Sequence, residues 1–279
     1  MEDFSNIGAL IIDMDGVLWH GEQAVPGLEY FFQTLREQQL PFILATNNAS
    51  LTQDQYVAKL LRMGVSVVRN EVLTSSMATA LYMAEHYDPA TTRVFVLGEE
   101  GAREPLLEQG FTLTGIYELD DSHKGGASKG ADVVVCGKDE TLTWDKLSTA
   151  TLNLQAGAKF IATNADATLP TERGFTQGNG AILAALTTAT GVVPIVIGKP
   201  EPIMYQQALA ILGVGITETI AIGDRLDTDI LGAVRTGIRS LLLLSGTDGR
   251  EDLIGIDYQP TWVMDDIVEL TAILQQQSK

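Results

Sequence analysis

Short apolar runs alternate with longer amphipathic stretches along this chain, and few architectures accept that order. Residues 9–12 are apolar throughout, as suits a strand buried on both faces. Leu28, Phe31, Phe32 and Leu35 follow at i, i+3, i+4 and i+7, one face of a helix. Residues 41–45 read as a second strand, ended by Thr46-Asn47-Asn48. Tyr56, Val57, Leu60 and Leu61 then share a face of a second helix, stopped by Gly64. The C-terminal third repeats the order. A strand at 194–197 precedes a helix opened by Pro202, which buries Met204, Ala208, Ile211 and Leu212 and stops at Gly213. A strand at 219–222, a helix over 228–236, a strand at 240–244 and a last helix carrying Ile267, Val268, Leu270, Ile273 and Leu274 complete it. The middle reads as a separate α/β block, with strands at 94–97, 132–136 and 160–163 and helices at 102–109, 144–156 and 181–190. Polar, Gly-rich 122–130 reads as a loop inside that block. The expected fold class is α/β with a mainly parallel sheet.

Composition narrows the function. A chain of 279 residues has room for two domains, and 45% hydrophobic with 19% charged residues suits an ordinary globular protein. The apolar stretches 192–197 and 240–244 are too short to span a membrane, and the acidic start Met1-Glu2-Asp3-Phe4 gives no export signal. Cys136 is the single cysteine, which excludes an intramolecular disulfide and leads us to expect a cytoplasmic location. A net charge of −18 serves solubility and argues against nucleic acid or an anionic membrane as partner. Any phosphate site here must be made locally positive by a metal ion, a lysine and backbone N–H groups.

Four polar motifs carry chemistry, each at the end of an expected strand. Asp13-Met14-Asp15-Gly16 places two carboxylates where open α/β sheets bind ligands. Two such charges resist joint ionisation unless a cation joins them, and magnesium takes oxygen ligands. An acidic turn would look the same. Thr46-Asn47-Asn48 offers a hydroxyl, two amides and backbone N–H groups to phosphoryl oxygens, or is an ordinary polar loop. In Gly198-Lys199-Pro200 the lysine can neutralise a nucleophile and a phosphate, or simply be solvated. In Gly223-Asp224-Arg225-Leu226-Asp227-Thr228-Asp229, Asp224 and Asp229 offer a metal ligand and its orienting partner. Asp227 or Thr228 is expected to cap the following helix.

The order Asp, Thr, Lys, Asp resembles the haloacid dehalogenase-like (HAD) superfamily at all four positions. The resemblance implies a Rossmann-like core and a magnesium-dependent phosphatase, a phosphoric monoester hydrolase. Asp13 would be the nucleophile, passing through an aspartyl-phosphate, and Asp15 the general acid/base. Thr46, with Asn47 and Asn48, would bind the phosphoryl group, and Lys199 would steady its charge. Mg²⁺ would rest on Asp13, the backbone carbonyl of Asp15, and Asp224, with Asp229 supporting that set. Asp13 and Thr46 are 33 positions apart, too few for a helical cap, whereas 153 positions separate Thr46 from Lys199. The extra block thus falls between the second and third motifs, as in the NagD-like class IIA branch with its C2-type α/β cap. That branch includes p-nitrophenyl, pyridoxal and phosphoglycolate phosphatases. Asp15-Gly16-Val17-Leu18-Trp19, Val96-Leu97-Gly98, Thr163-Asn164-Ala165-Asp166 and the stretch 223–230 extend the match. The expected division is 1–79 and 187–279 for the core and 80–186 for a cap that closes over the substrate.

The segment after Thr163 departs from the resemblance. Relatives often carry a proline and a Pro-Gly-x-Gly turn where this chain has Ala165 and Gln177-Gly178-Asn179-Gly180, which bears on the substrate pocket rather than the chemistry. The expected partner is a small phosphorylated metabolite: phosphoglycolate, pyridoxal phosphate, a sugar phosphate or a nucleotide. The resemblance also implies a homodimer. A phosphotransferase on the same scaffold and a non-catalytic phosphate-binding module are the competing readings. Among other residues, His86, His123 and Cys136 make no credible zinc set. His20 is expected in a solvated loop, Trp144 in packing, and Arg225 in an ion pair or on substrate.

Overall fold

The computed structural model describes residues 6–119, 130–171 and 174–277. His123, the first four residues and nearly all of the expected 122–130 loop lie outside them. Along the chain run β1 (Ala9–Ile12), β2 (Trp19–His20), β3 (Gln23–Ala24), α1 (Leu28–Glu37), β4 (Phe42–Thr46), α2 (Gln53–Arg62), β5 (Val72–Thr74) and α3 (Ser75–His86). Next come β6 (Arg93–Leu97), α4 (Glu100–Glu108), β7 (Thr112–Leu113), β8 (Val133–Cys136), α5 (Trp144–Gln155), β9 (Lys159–Ala162), β10 (Thr168–Thr171), β11 (Gly174–Gln177) and α6 (Asn179–Thr190). The chain closes with β12 (Ile195–Val196), α7 (Pro202–Leu212), β13 (Thr219–Gly223), α8 (Leu231–Thr236), β14 (Arg239–Leu243), β15 (Trp262–Met264) and α9 (Ile267–Gln277).

The chain divides into two compact units. The first comprises Met1–Thr46, Gln53–Leu73 and Lys199–Lys279, and the second Asn47–Thr52 and Thr74–Gly198. The second unit contains the expected 80–186 block and extends past both of its ends.

A six-stranded sheet in the order β15-β14-β13-β1-β4-β5 organises the first unit. β1 lies parallel to β13 on one side and to β4 on the other. Successive strands thus run outward in opposite directions from β1, which makes its carboxyl end a topological switch point, where open α/β sheets bind ligands. Leu10, Ile12, Leu44, Ile222 and Leu241 are buried in this sheet, and Phe31 and Leu35 of α1 are buried too. A five-stranded parallel sheet, β12-β9-β8-β6-β7, organises the second unit. Phe95, Leu97, Val134, Cys136 and Phe160 form its core with Leu154, Leu183 and Leu186.

Some expectations are corrected. The strand near 194–197 belongs to the second unit, as the two-residue edge strand β12 beside β9. Leu61, expected on the apolar face of α2, and Ile211, expected to be buried on α7, are instead 64% and 45% exposed. On α2 the buried face instead takes Gln53 and Lys59 with Tyr56 and Leu60. Trp144 opens α5 and is 82% exposed, so it does not pack. The 228–236 helix is two pieces, a π-helical turn over Leu226–Ile230 and then α8, and neither has a side-chain cap. Asp227 is not a cap because its carboxylate holds the Arg225 guanidinium at 2.9 and 3.1 Å.

Candidate active site

Asp13 follows β1 directly and donates its backbone N–H to the Ile222 carbonyl at 2.8 Å, which extends the pairing with β13 by one step. Its side chain is 11% exposed and accepts a hydrogen bond from Lys199 Nζ at Oδ1. The same ammonium donates to Asp229 Oδ1 at 2.6 Å and to the Ala45 carbonyl at 3.0 Å. Burying an ammonium costs several kcal/mol, so it persists only with such a full set of acceptors. Burial alone would lower the Lys199 pKa. Asp13 and Asp229 outweigh it and hold the group well above its usual range.

Asp224 stands one residue past β13 and is buried. Its Oδ2 accepts from the Thr247 N–H at 2.7 Å, and its carbonyl accepts from the Asp248 N–H at 3.1 Å. Glycine makes that close packing feasible. Gly16 has φ +86°, and a Cβ there would lie 2.2 Å from Asp224 Oδ2. Asp229 sits in the π-helical turn, and its Oδ2 accepts from the Arg225 N–H at 3.1 Å.

Carboxylate oxygens of Asp13, Asp224 and Asp229 lie within 4.8 Å of one another. Burial raises the Asp13 pKa well above the ordinary carboxylate value. Lys199 opposes this, and repulsion from Asp229 and Asp224 adds to it. Burial, then repulsion from Asp229, pushes Asp224 up to about 6 against the Thr247 hydrogen bonds. Asp224 Oδ1 is buried and has no hydrogen-bond partner among the described residues. A buried acceptor left bare beside two further acids fits a hard divalent cation. The acidic cluster is therefore able to bind a metal ion.

Asp15 is not in that cluster. Its side chain is exposed, and Oδ1 accepts from the Trp19 indole N–H at 2.8 Å. Thr46 ends β4, is buried, and shares a hydrogen bond with the Tyr56 hydroxyl. Asn47 and Asn48 fall in the second unit. There the Asn47 side chain donates to Asp166 Oδ1 at 3.2 Å, and its carbonyl accepts from Ser75 Oγ and Asn164 Nδ2, each at 2.8 Å. Asn48 Oδ1 accepts from the Ser50 N–H and hydroxyl. His20 is exposed on the β2–β3 hairpin, and Arg225 forms the expected ion pair with Asp227.

Sequence reasoning missed Thr247, Trp19 and Tyr56 as partners of site residues. Thr247 had a usable signal, since Gly246-Thr247 follows the strand expected at 240–244, a further strand end. Trp19 enters only as the end of a resemblance motif, and Tyr56 only as part of an apolar helix face.

A family model described as haloacid dehalogenase-like hydrolase matches residues 10–112, and one described as HAD-hydrolase-like matches residues 196–270. The chain belongs to the haloacid dehalogenase-like hydrolase family. It is 36% identical to the 5'-nucleotidase YutF of Bacillus subtilis, over 93% of this chain and 95% of that one. It is 37% identical to the acid sugar phosphatase of Staphylococcus saprophyticus, over 97% and 99%. Among solved structures, the 4-nitrophenylphosphatase from Thermotoga maritima matches with a TM-score of 0.86 and 33% identity, covering 97% of this chain and 98% of that one.

Proposed function

We infer that this protein is a magnesium-dependent phosphatase of small phosphomonoesters with Asp13 as nucleophile. The observation that carries it is the Asp13 carboxylate at the switch point, held by buried Lys199 beside an Asp224 oxygen that has no hydrogen-bond partner among the described residues. Nucleotidase and phosphatase relatives at similar identity support the class. Their names point to a nucleotide or a sugar phosphate as substrate, and the family resemblance adds phosphoglycolate and pyridoxal phosphate.

One carboxylate oxygen of Asp13 attacks phosphorus in line with the leaving oxygen, and the bond from phosphorus to that oxygen breaks. Asp15 gives its proton to the departing oxygen. Water then attacks the phosphorus of the aspartyl-phosphate while Asp15 takes a proton from it, and the bond from phosphorus to Asp13 breaks to release phosphate. Lys199 offsets negative charge throughout, and Thr46 with Asn47 and Asn48 binds the phosphoryl oxygens. Asp13, Asp224 and the Asp15 carbonyl would hold Mg²⁺, with Asp229 in support, and the bound ion would neutralise charge on the phosphoryl group. No described helix is long and apolar enough to cross a membrane. We assign a small phosphorylated metabolite as partner and a second copy of the chain as a dimer mate.

Hydrolysis of p-nitrophenyl phosphate with added magnesium tests the reading. Asp13→Asn is expected to lower kcat/KM by at least about 10⁴-fold. Activity at the wild-type level in that variant would sink the assignment. A panel of phosphomonoesters compared by kcat/KM then ranks the substrates.

A further inference from the structure

Trp19 is fully buried, and the mechanism above does not use it. Its indole N–H has one acceptor, Oδ1 of Asp15, at 2.8 Å. Two residues of α2 hold the ring. Tyr56 stacks on it with ring centroids 6.3 Å apart and planes 20° from parallel. Lys59 Nζ stands 4.5 Å from the ring centroid. Tyr56 and Lys59 are three residues apart in sequence and share one helix face.

Lys59 is itself buried, an unusual state for lysine that packing alone does not require. Its ammonium donates to the Gly21 carbonyl at 2.8 Å and pairs with Glu22 Oε1 at 3.3 Å, so it also fastens the β2–β3 hairpin. A cation over an aromatic face is attracted to the ring and draws electron density from it, which strengthens the indole N–H as a donor to a carboxylate. On the other flank, the Tyr56 hydroxyl reaches Thr46. One aromatic pair thus braces both the expected acid/base and the expected phosphate-binding threonine.

We propose that Trp19 is a positioning residue that orients the Asp15 carboxylate, and that Lys59 acts on Asp15 through Trp19. The proposal rests on Asp15 being the general acid. With Oδ1 engaged by the indole, Oδ2 carries the proton. Its O–H bond breaks as the new O–H bond forms on the leaving oxygen, which departs from phosphorus with its electron pair.

The leaving group supplies the readout. kcat/KM covers steps up to leaving-group departure, and p-nitrophenolate departs with little protonation whereas an alkoxide needs it. Trp19→Phe keeps an aromatic ring and removes the donor. It should lower kcat/KM for an alkyl ester such as glycerol phosphate by roughly 30-fold, within the range that general acid catalysis supplies, and for p-nitrophenyl phosphate by less than about 3-fold. Lys59→Met should shift the ratio of the two substrates the same way by roughly 5-fold. In an Asp15→Asn background, assayed on the alkyl ester at high enzyme concentration, adding Trp19→Phe should cost nothing further. Equal losses on both substrates, or a further loss in the Asp15→Asn background, would make Trp19 a packing residue and overturn the proposal. Asp13→Asn runs alongside. Wild-type hydrolysis by that variant would remove the reading of Asp13 as nucleophile, and with it the mechanism in which Asp15 is the general acid, a result distinct from even losses beside an inactive Asp13→Asn.

Discussion

Both parallel sheets bury polar side chains at their carboxyl ends, with opposite results. In the first unit, three carboxylates, Asp13, Asp224 and Asp229, gather around the one ammonium of Lys199. In the second, Asn164 Nδ2 donates to the Asn47 carbonyl and to Thr163 Oγ1, while its Oδ1 accepts from the Asp166 N–H. Asn179 Nδ2 donates to the carbonyls of Cys136 and Asn164, and its Oδ1 accepts from the Cys136 thiol. Every amide end in that pair has a partner within the chain. The asparagines therefore form a neutral network that is complete as protein, whereas the carboxylates outnumber their cation and leave Asp224 Oδ1 without a partner among the described residues. A ligand that binds the native state stabilises it by mass action, so a divalent cation should act on the first cluster and not on the second.

Removing the Lys199 ammonium from that cluster tests this most severely. Lys199→Met leaves Asp13 and Asp229 buried without their partner, and breaking a buried pair from one side costs about 3–5 kcal/mol. In chelator at pH 7, urea unfolding should show a loss of that size, and turnover of p-nitrophenyl phosphate should fall at least about 10³-fold. Unfolding at the wild-type urea midpoint would mean that the charges are not in deficit.

Asp224→Asn approaches the same imbalance from the acid side. Burial and then repulsion from Asp229 push the native group up to about 6, above the ordinary carboxylate value of about 3.8. Between those values the native state binds more protons than the unfolded one, so this group's stabilisation is full below pH 4 and is lost as pH rises through 6. Asparagine does not titrate. In chelator, Asp224→Asn should match the wild type near pH 4 and be more stable at pH 7 by on the order of 3 kcal/mol. Magnesium should stabilise only the wild type. A difference between the two proteins that does not change from pH 4 to 7 would show that Asp224 is not held up by its neighbours.

For the amide network the expected effect is smaller and indifferent to metal. Asn164→Ala removes its hydrogen bonds to the Asn47 carbonyl and from the Asp166 N–H, at a cost of roughly 2 kcal/mol. The loss should be the same in magnesium and in chelator. A loss that magnesium reverses would join two clusters held here to be separate in kind.

This contrast was only half legible in the sequence. Asp13, Lys199 and Asp224 could be read because strand ends in an α/β fold collect ligands, and a rare charge beside a buried strand stands out. Asn164 is legible only through a resemblance, and Asn179 only as a departure from it, because asparagine is common in loops and the partners here lie as far as 117 positions away. The strands expected at 9–12, 132–136 and 219–222 were plain from apolar runs and form at 9–12, 133–136 and 219–223. β5 and β15, of three residues each, were not, since so short a run has no period to detect. The edge strand β12 was assigned to the wrong sheet for a related reason, because two residues do not specify which sheet they join. The burial of Lys59 was unreadable, since lysine is ordinarily solvated even when it shares a helix face with buried residues, and here the indole and the Gly21 carbonyl draw it inward.

The gentlest test concerns Cys136, whose thiol donates to Asn179 Oδ1 at 3.2 Å inside the second unit. Burial, and then the charge of Asp139, pushes the thiol far above its ordinary range, the reverse of an activated cysteine. Thiolate is the reactive form, so the native protein at pH 8 should take up no iodoacetamide over an hour, and a single adduct should form once urea unfolds the chain. Because Cys136 is the one cysteine in the sequence, intact-mass measurement reads that site alone. Alkylation within minutes under native conditions would mean that the amide network opens readily to solvent, and the second cluster could not then be the closed, uncharged counterpart of the first.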